Sequence, residues 1–145
     1  MDKGVYCLIL ENSPCRLKVG ALGTLDFSGG WHVYVGSARG PGGLLRVVRH
    51  IRYSRHPGRM PRWHIDYILA HPAFSLVSAL CASTERNMEC PLAGLMPGLP
   101  VTGFGCSDCR CQSHLFYFDY SPERDVSAVF ENLELGVSIK NIKKS

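Results

Sequence analysis

The sequence predicts a single α+β domain in which a small, mainly antiparallel sheet is flanked by helices. Three observations predict it. Short apolar runs separated by Gly, Pro and Asn turns crowd the chain before Gly36, the pattern of strands joined by tight turns. Beyond Gly43, stretches of helical period alternate with further short apolar runs. At 145 residues, with 46% hydrophobic and 19% charged residues, the chain is long enough for one buried core and ordinary in composition for a globular domain.

Gly4 to Leu10 is rich in Val, Tyr, Ile and Leu and reads as a first strand. Asn12-Ser13-Pro14 is a turn. Arg16 to Val19 alternates charged and apolar residues as a second strand, and Leu22 to Phe27 adds a short piece before Ser28-Gly29-Gly30. Trp31 to Val35 is the next strand, so the opening reads as an antiparallel meander. A loop with four glycines in eight residues follows, from Gly36 to Gly43. The helix expected over Leu44–Tyr53 carries Leu44, Val47, Val48 and Ile51 as a core-facing stripe, with Arg46, Arg49, His50 and Tyr53 on the opposite side.

Pro57-Gly58 and Pro61 mark a basic loop. Trp63 to Ala70 reads as a short helix and Phe74 to Ala82 as a buried strand. Met88, Leu92, Leu95 and Met96 keep helical spacing, and Pro91 requires that helix to start near Asn87, with the proline and Glu89 in its first turn. A Pro/Gly loop leads to the strand Leu115–Phe118. Ser121-Pro122-Glu123 opens a last helix whose buried face is Val126, Val129, Phe130 and Leu133. Residues 1–135 form the expected domain, and 136–145, with three terminal lysines, a frayed basic tail.

Several classes are excluded. No apolar run approaches the roughly 18 residues of a membrane span. Met-Asp-Lys-Gly does not open a secretory signal, so a cytoplasmic location is expected. Seven cysteines without an export signal point to free thiols or metal ligands rather than a disulfide framework.

The net charge of +4 is unevenly placed: from Phe27 to Ile65 there is no Asp or Glu, but seven arginines and no lysine. Arg39, Arg46, Arg49, Arg52, Arg55, Arg59 and Arg62 offer planar guanidinium groups that pair phosphate oxygens two at a time. A polyanion is the expected partner, with nucleic acid first. A strand delivering a tyrosine, a glycine loop and a helix presenting arginines and a histidine also suit phosphate chemistry.

Cys106, Cys109, Cys111 and His114 are soft ligands suited to tetrahedral Zn²⁺. Four ligands within nine residues make a cramped chelate, however, and the rival reading is a strand entry with buried thiols. His64 and Asp66, two apart, face apart on a helix, cannot share one metal, and read either as structural or as supports behind a site.

Gly4-Val5-Tyr6 and Tyr34-Val35-Gly36 resemble the two signature tripeptides of the GIY-YIG nuclease superfamily. Arg46 on the following helix, His50 four residues later and Glu89 at a later helix start match that family's pattern in order and context. The phrases YVGSARGPGGLLRVVRH, WHIDYIL, EC-x-LA and GFGCSDCRCQSHLF resemble a branch carried as a domain of unknown function. That branch occurs alone or appended to endonuclease III-type repair proteins. The likeness runs from about Gly4 to Phe118. Tyr6 and Tyr34 stand further apart than is usual in the superfamily, which implies an extra N-terminal hairpin. Ser37, with Arg39 nearby, stands where a lysine is common.

The resemblance implies an endonuclease acting on DNA, in repair, with Mg²⁺ or Mn²⁺. Its catalytic residues would be Tyr6, Tyr34, Arg46, His50 and Glu89, with Glu89 as metal ligand. Arg46 would brace the phosphoryl group, one tyrosine would serve as base, and His50 would position phosphate or move a proton. A phenol near pKa ~10 is a poor base at neutral pH, so a neighbouring cation must assist it. Two alternatives stand beside this reading: a non-catalytic nucleic-acid-binding module, and a zinc-stabilised adaptor docking onto a repair enzyme.

Overall fold

A computed structural model describes residues 2–58, 60–106 and 111–142. The main sheet holds β1 (Gly4–Asn12), β4 (Gly30–Ala38), β5 (Phe74–Ser83), β6 (Leu99–Pro100), β7 (Leu115–Phe118) and β8 (Ser138–Asn141). Its order is β6-β7-β4-β1-β5-β8, and the neighbouring strands pair antiparallel. β2 (Cys15–Lys18) and β3 (Thr24–Phe27) form a separate two-stranded hairpin. The helices are α1 (Leu45–Arg55), α2 (His64–Leu69), α3 (Glu89–Gly94) and α4 (Glu123–Asn132). The expected α+β fold is present, with the β2–β3 hairpin lying between β1 and β4 in the chain.

β1 lies centrally, paired with β4 on one side and β5 on the other. Its side chains alternate between two cores. Val5, Cys7 and Ile9 pack with Leu92 and Ala93 of α3 and Val126, Val129 and Phe130 of α4. Tyr6, Leu8 and Leu10 pack with Val47, Ile51 and Tyr53 of α1 and Ile65, Ile68 and Leu69 of α2. A strand covered on both faces needs apolar residues at every position, which explains the nearly continuous run Val5–Leu10.

Three expectations are corrected. The opening is no meander, because β2 and β3 leave the main sheet and β4 returns directly beside β1. β4 also continues through Gly36 to Ala38, since β1 supplies partners as far as Gly4. Finally, the C-terminal segment is not wholly a frayed tail: Ser138–Asn141 pairs with Ser78–Cys81 as an edge strand. Residues 143–145 lie outside the described residues. β6, only two residues long, was not anticipated. Among the described residues no helix is long and apolar enough to cross a membrane.

Candidate active site

The site is built where β4, α1, α2 and α3 meet. Tyr6 on β1 stands opposite Gly36 on β4, and its ring lies over that glycine. A Cβ at Gly36 would fall 2.3 Å from the Tyr6 ring, so the glycine of Tyr34-Val35-Gly36 is the space the other tyrosine occupies. Tyr34, two residues earlier, projects from the same face with its ring centroid 6.4 Å from that of Tyr6.

Between β4 and α1 the chain turns through Gly42 (φ 88°) and Gly43 (φ 54°), backbone conformations that side chains disfavour. The turn brings Arg46 back beneath the strand end, where its Nη1 donates to the Ser37 carbonyl at 2.9 Å. The Arg46 guanidinium carbon also lies 5.3 Å from the Trp63 ring centroid, a cation–π contact joining α1 to the start of α2. One turn on, His50 Nε2 is hydrogen-bonded to the Tyr6 hydroxyl at 2.7 Å.

Here the expected polarity of α1 is corrected. His50 and Tyr53 are buried, together with Val47 and Ile51. The strand aromatics give His50 a polar partner inside the protein, so the buried face is wider than the aliphatic stripe alone.

Tyr34, Arg46 and Glu89 line one cleft of about 550 Å³ with Ser37, Arg39, Arg62, Trp63, His64, Asn87 and Cys90. The Glu89 side chain, 22% exposed, sits in the first turn of α3, where the helix dipole favours a carboxylate. Behind it, His114 Nδ1 lies 3.6 Å from Glu89 Oε2. Tyr6 is 1% exposed and does not line the cleft; it stands one layer below with His50. Burial is the main cause that pushes the Tyr6 phenol well above its ordinary pKa. Tyr34 and Glu89 add to the rise, and Arg46 opposes it by charge and hydrogen bonding.

His64 and Asp66 both bind backbone groups, and His64 also lines the cleft. His64 Nδ1 accepts from the Gly105 N–H at 2.8 Å, tying the 103–106 turn to α2, and burial lowers its pKa. Asp66 Oδ2 accepts from the Arg62 and Trp63 N–H groups at 2.9 and 3.3 Å and so caps α2.

The arginines divide. Arg39 and Arg62 line the cleft with Arg46, whereas Arg49, Arg52 and Arg55 lie along α1, all three exposed. Arg52 and Arg55 border a hollow against Lys140–Ile142. Arg59 lies outside the described residues.

The cysteines also regroup. Cys109 lies outside the described residues, and among those described Cys111 and His114 gather with Cys90 rather than with Cys106. The ligand atoms of Cys90, Cys111 and His114 all lie within 4.8 Å of one another, so this cluster could hold a metal ion. Cys90 and Cys111 are also placed for disulfide bonding to each other, with Cα atoms 6.2 Å apart. Cys106 Sγ instead contacts the Phe104 carbonyl at 3.4 Å. Cys90 was missed in the sequence because its partners come more than 20 residues later; its place beside Glu89 at a helix start was the available signal. Trp63 and Asn87 were missed as cleft residues because neither carries a charge or a ligand pattern.

No curated protein and no solved structure matches this chain. A family profile does, over residues 5–135, which takes in Tyr6, Tyr34, Arg46, Glu89, Cys90 and His114 together. The chain therefore belongs to the family described as domain of unknown function DUF123.

Proposed function

We propose that this domain is a metal-dependent endonuclease of the GIY-YIG type, hydrolysing phosphodiester bonds in DNA. The observation that carries the reading is the convergence of Tyr34, Arg46 and Glu89, from three separate elements, on one cleft. Three arginines and one carboxylate in that cleft suit an anionic substrate held around a cation.

The donor set fits Mg²⁺. Glu89 opens into the cleft beside Asn87 and Tyr34, giving hard oxygen donors for an ion that keeps most of its water and needs one or two carboxylates. When bound, the ion supplies charge relief to the phosphoryl oxygens and the departing oxygen. Zinc belongs to the structural side of this reading, at the thiols behind Glu89.

The chain's own groups do the rest. Arg46, held by Ser37 and Trp63, braces the phosphoryl group as charge develops. Arg39 and Arg62 hold the flanking phosphates. Tyr34, at the cleft wall, orients the attacking water and, once its own phenolic proton has passed to solvent beside the bound cation and Arg46, takes the water's proton as a phenolate. Tyr6 stays a neutral phenol, because burial disfavours its phenolate. Its hydroxyl fixes His50 from behind, and the pair supports the Tyr34–Arg46 geometry.

The test is incubation of the purified chain with plasmid and short duplex or branched DNA, with Mg²⁺ or Mn²⁺ and with excess chelator. Metal-dependent nicking is expected, and Glu89→Gln should abolish it. Cleavage that persists in chelator, or in Glu89→Gln protein, would overturn the reading.

A further inference from the structure

We propose that Cys90, Cys111 and His114 form a binding site for a thiophilic divalent metal, with zinc the best chemical match, tying the start of α3 to the segment that enters β7. Their ligand atoms lie within 4.8 Å of one another, close enough to converge on one tetrahedral ion with Zn–S near ~2.3 Å and Zn–N near ~2.0 Å. The ligands also come from two segments. Cys90 lies 21 residues before Cys111, which removes the cramped geometry of a chelate drawn from one loop. Cys90 and Cys111 are half-buried and His114 buried, the environment of a structural site rather than an exposed thiol pair.

His114 links this site to the cleft. Its Nδ1 faces Glu89 Oε2 at 3.6 Å, so the ring stands between the thiols and the cleft carboxylate. A carboxylate behind a metal-bound imidazole fixes the ring's orientation and tautomer and strengthens the ligand. The same contact steadies Glu89 at the cleft wall. On binding, the two thiols release their protons to solvent and the metal takes the thiolates; no oxidation is involved.

The rival state is a Cys90–Cys111 disulfide, which joins the same two segments without metal. The full chain purified under reducing conditions, without an affinity metal, distinguishes the two by elemental analysis and by cobalt replacement. About one zinc per chain is expected. Cobalt should give the thiolate-to-metal band and the visible bands of a tetrahedral thiolate site. Cys90→Ser, Cys111→Ser and His114→Ala should each weaken metal retention at least tenfold, while Cys15→Ser, on the hairpin, should not.

Wild-type protein needs no substitution to fail the test. Below ~0.2 zinc per chain after reduction and metal addition, or a Cys90–Cys111 disulfide found by mass spectrometry in place of metal, overturns the proposal. Full retention of zinc by Cys90→Ser also overturns it, because the ion would then sit on other ligands. Metal content and spectra do not depend on DNA cleavage, so this proposal and the nuclease reading can fail separately.

Discussion

Tyr6 and Tyr34 carry the same phenol in different surroundings, one buried against His50 and Gly36, the other at the cleft wall. Their hydroxyls should therefore fail differently when removed. Tyr34→Phe is expected to lower the cleavage rate by roughly 10²–10⁴-fold with little change in stability, the range for loss of a positioned base. Tyr6→Phe leaves the buried His50 nitrogen without its 2.7 Å partner and should cost about 1–3 kcal/mol of folding stability. Its rate loss should be the smaller of the two. Denaturant melts beside single-turnover rates would check both, and a larger rate loss in Tyr6→Phe would move the base to the buried position. The strands that carry Tyr6 and Tyr34 were legible in sequence because each is a compact apolar run between turn signals. The seating of Tyr6 over Gly36 was not, because the two meet only across paired strands. Which tyrosine lines the cleft was not legible either, because that depends on how the helices pack around β4. Cys90 was hidden for a related reason: a cluster split between a helix start and a distant loop has no local spacing.

At the level of elements, α1, α4 and β7 were legible because each has a clear apolar period or a compact apolar run between turn signals. α1 misled only in the width of its buried face, since arginines interleave with His50 and Tyr53. β8 was not legible. Ser138–Asn141 is polar in three of its four residues and exposed throughout, and backbone pairing to β5, not apolar burial, makes it a strand. A chain ending at Val137 should therefore expose the β5 edge, with its row of unpaired backbone groups. We expect a melting temperature lower by a few degrees, roughly 2–4 °C per kcal/mol for a domain of this size, together with concentration-dependent aggregation. A frayed tail would leave both unchanged, so thermal melts and light scattering of the shortened chain separate the two states.

At the scale of the whole molecule, the described arginines between Arg39 and Arg62 fall into a cleft group and a helix-surface group, and substituting each group tests an enzyme against a binding module. Arg46 is held at the cleft by the Ser37 carbonyl and the Trp63 ring, with Arg39 and Arg62 on the same wall. Arg52 and Arg55 lie on the exposed side of α1, beside the β8 edge, where they can follow a phosphate backbone but not reach the cleft chemistry. Arg46→Ala should remove stabilisation of the transition state, about 3 kcal/mol or a hundredfold in rate, with a much smaller effect on KM. Neutralising Arg52 and Arg55 together should leave the single-turnover rate of bound substrate nearly intact. It should weaken binding on all sequences and reduce the slope of log K against log salt by roughly 0.7–0.9 for each phosphate left unneutralised. Arg62→Ala, at the cleft wall, should affect both binding and rate. Cleavage rates at saturating substrate and fluorescence-anisotropy titrations over a salt series would measure the two effects independently. If the parent shows no metal-dependent cleavage and Arg46→Ala lowers affinity by the same factor as Arg52→Ala, the arginines all do one job, and the domain is a nucleic-acid-binding module rather than a nuclease.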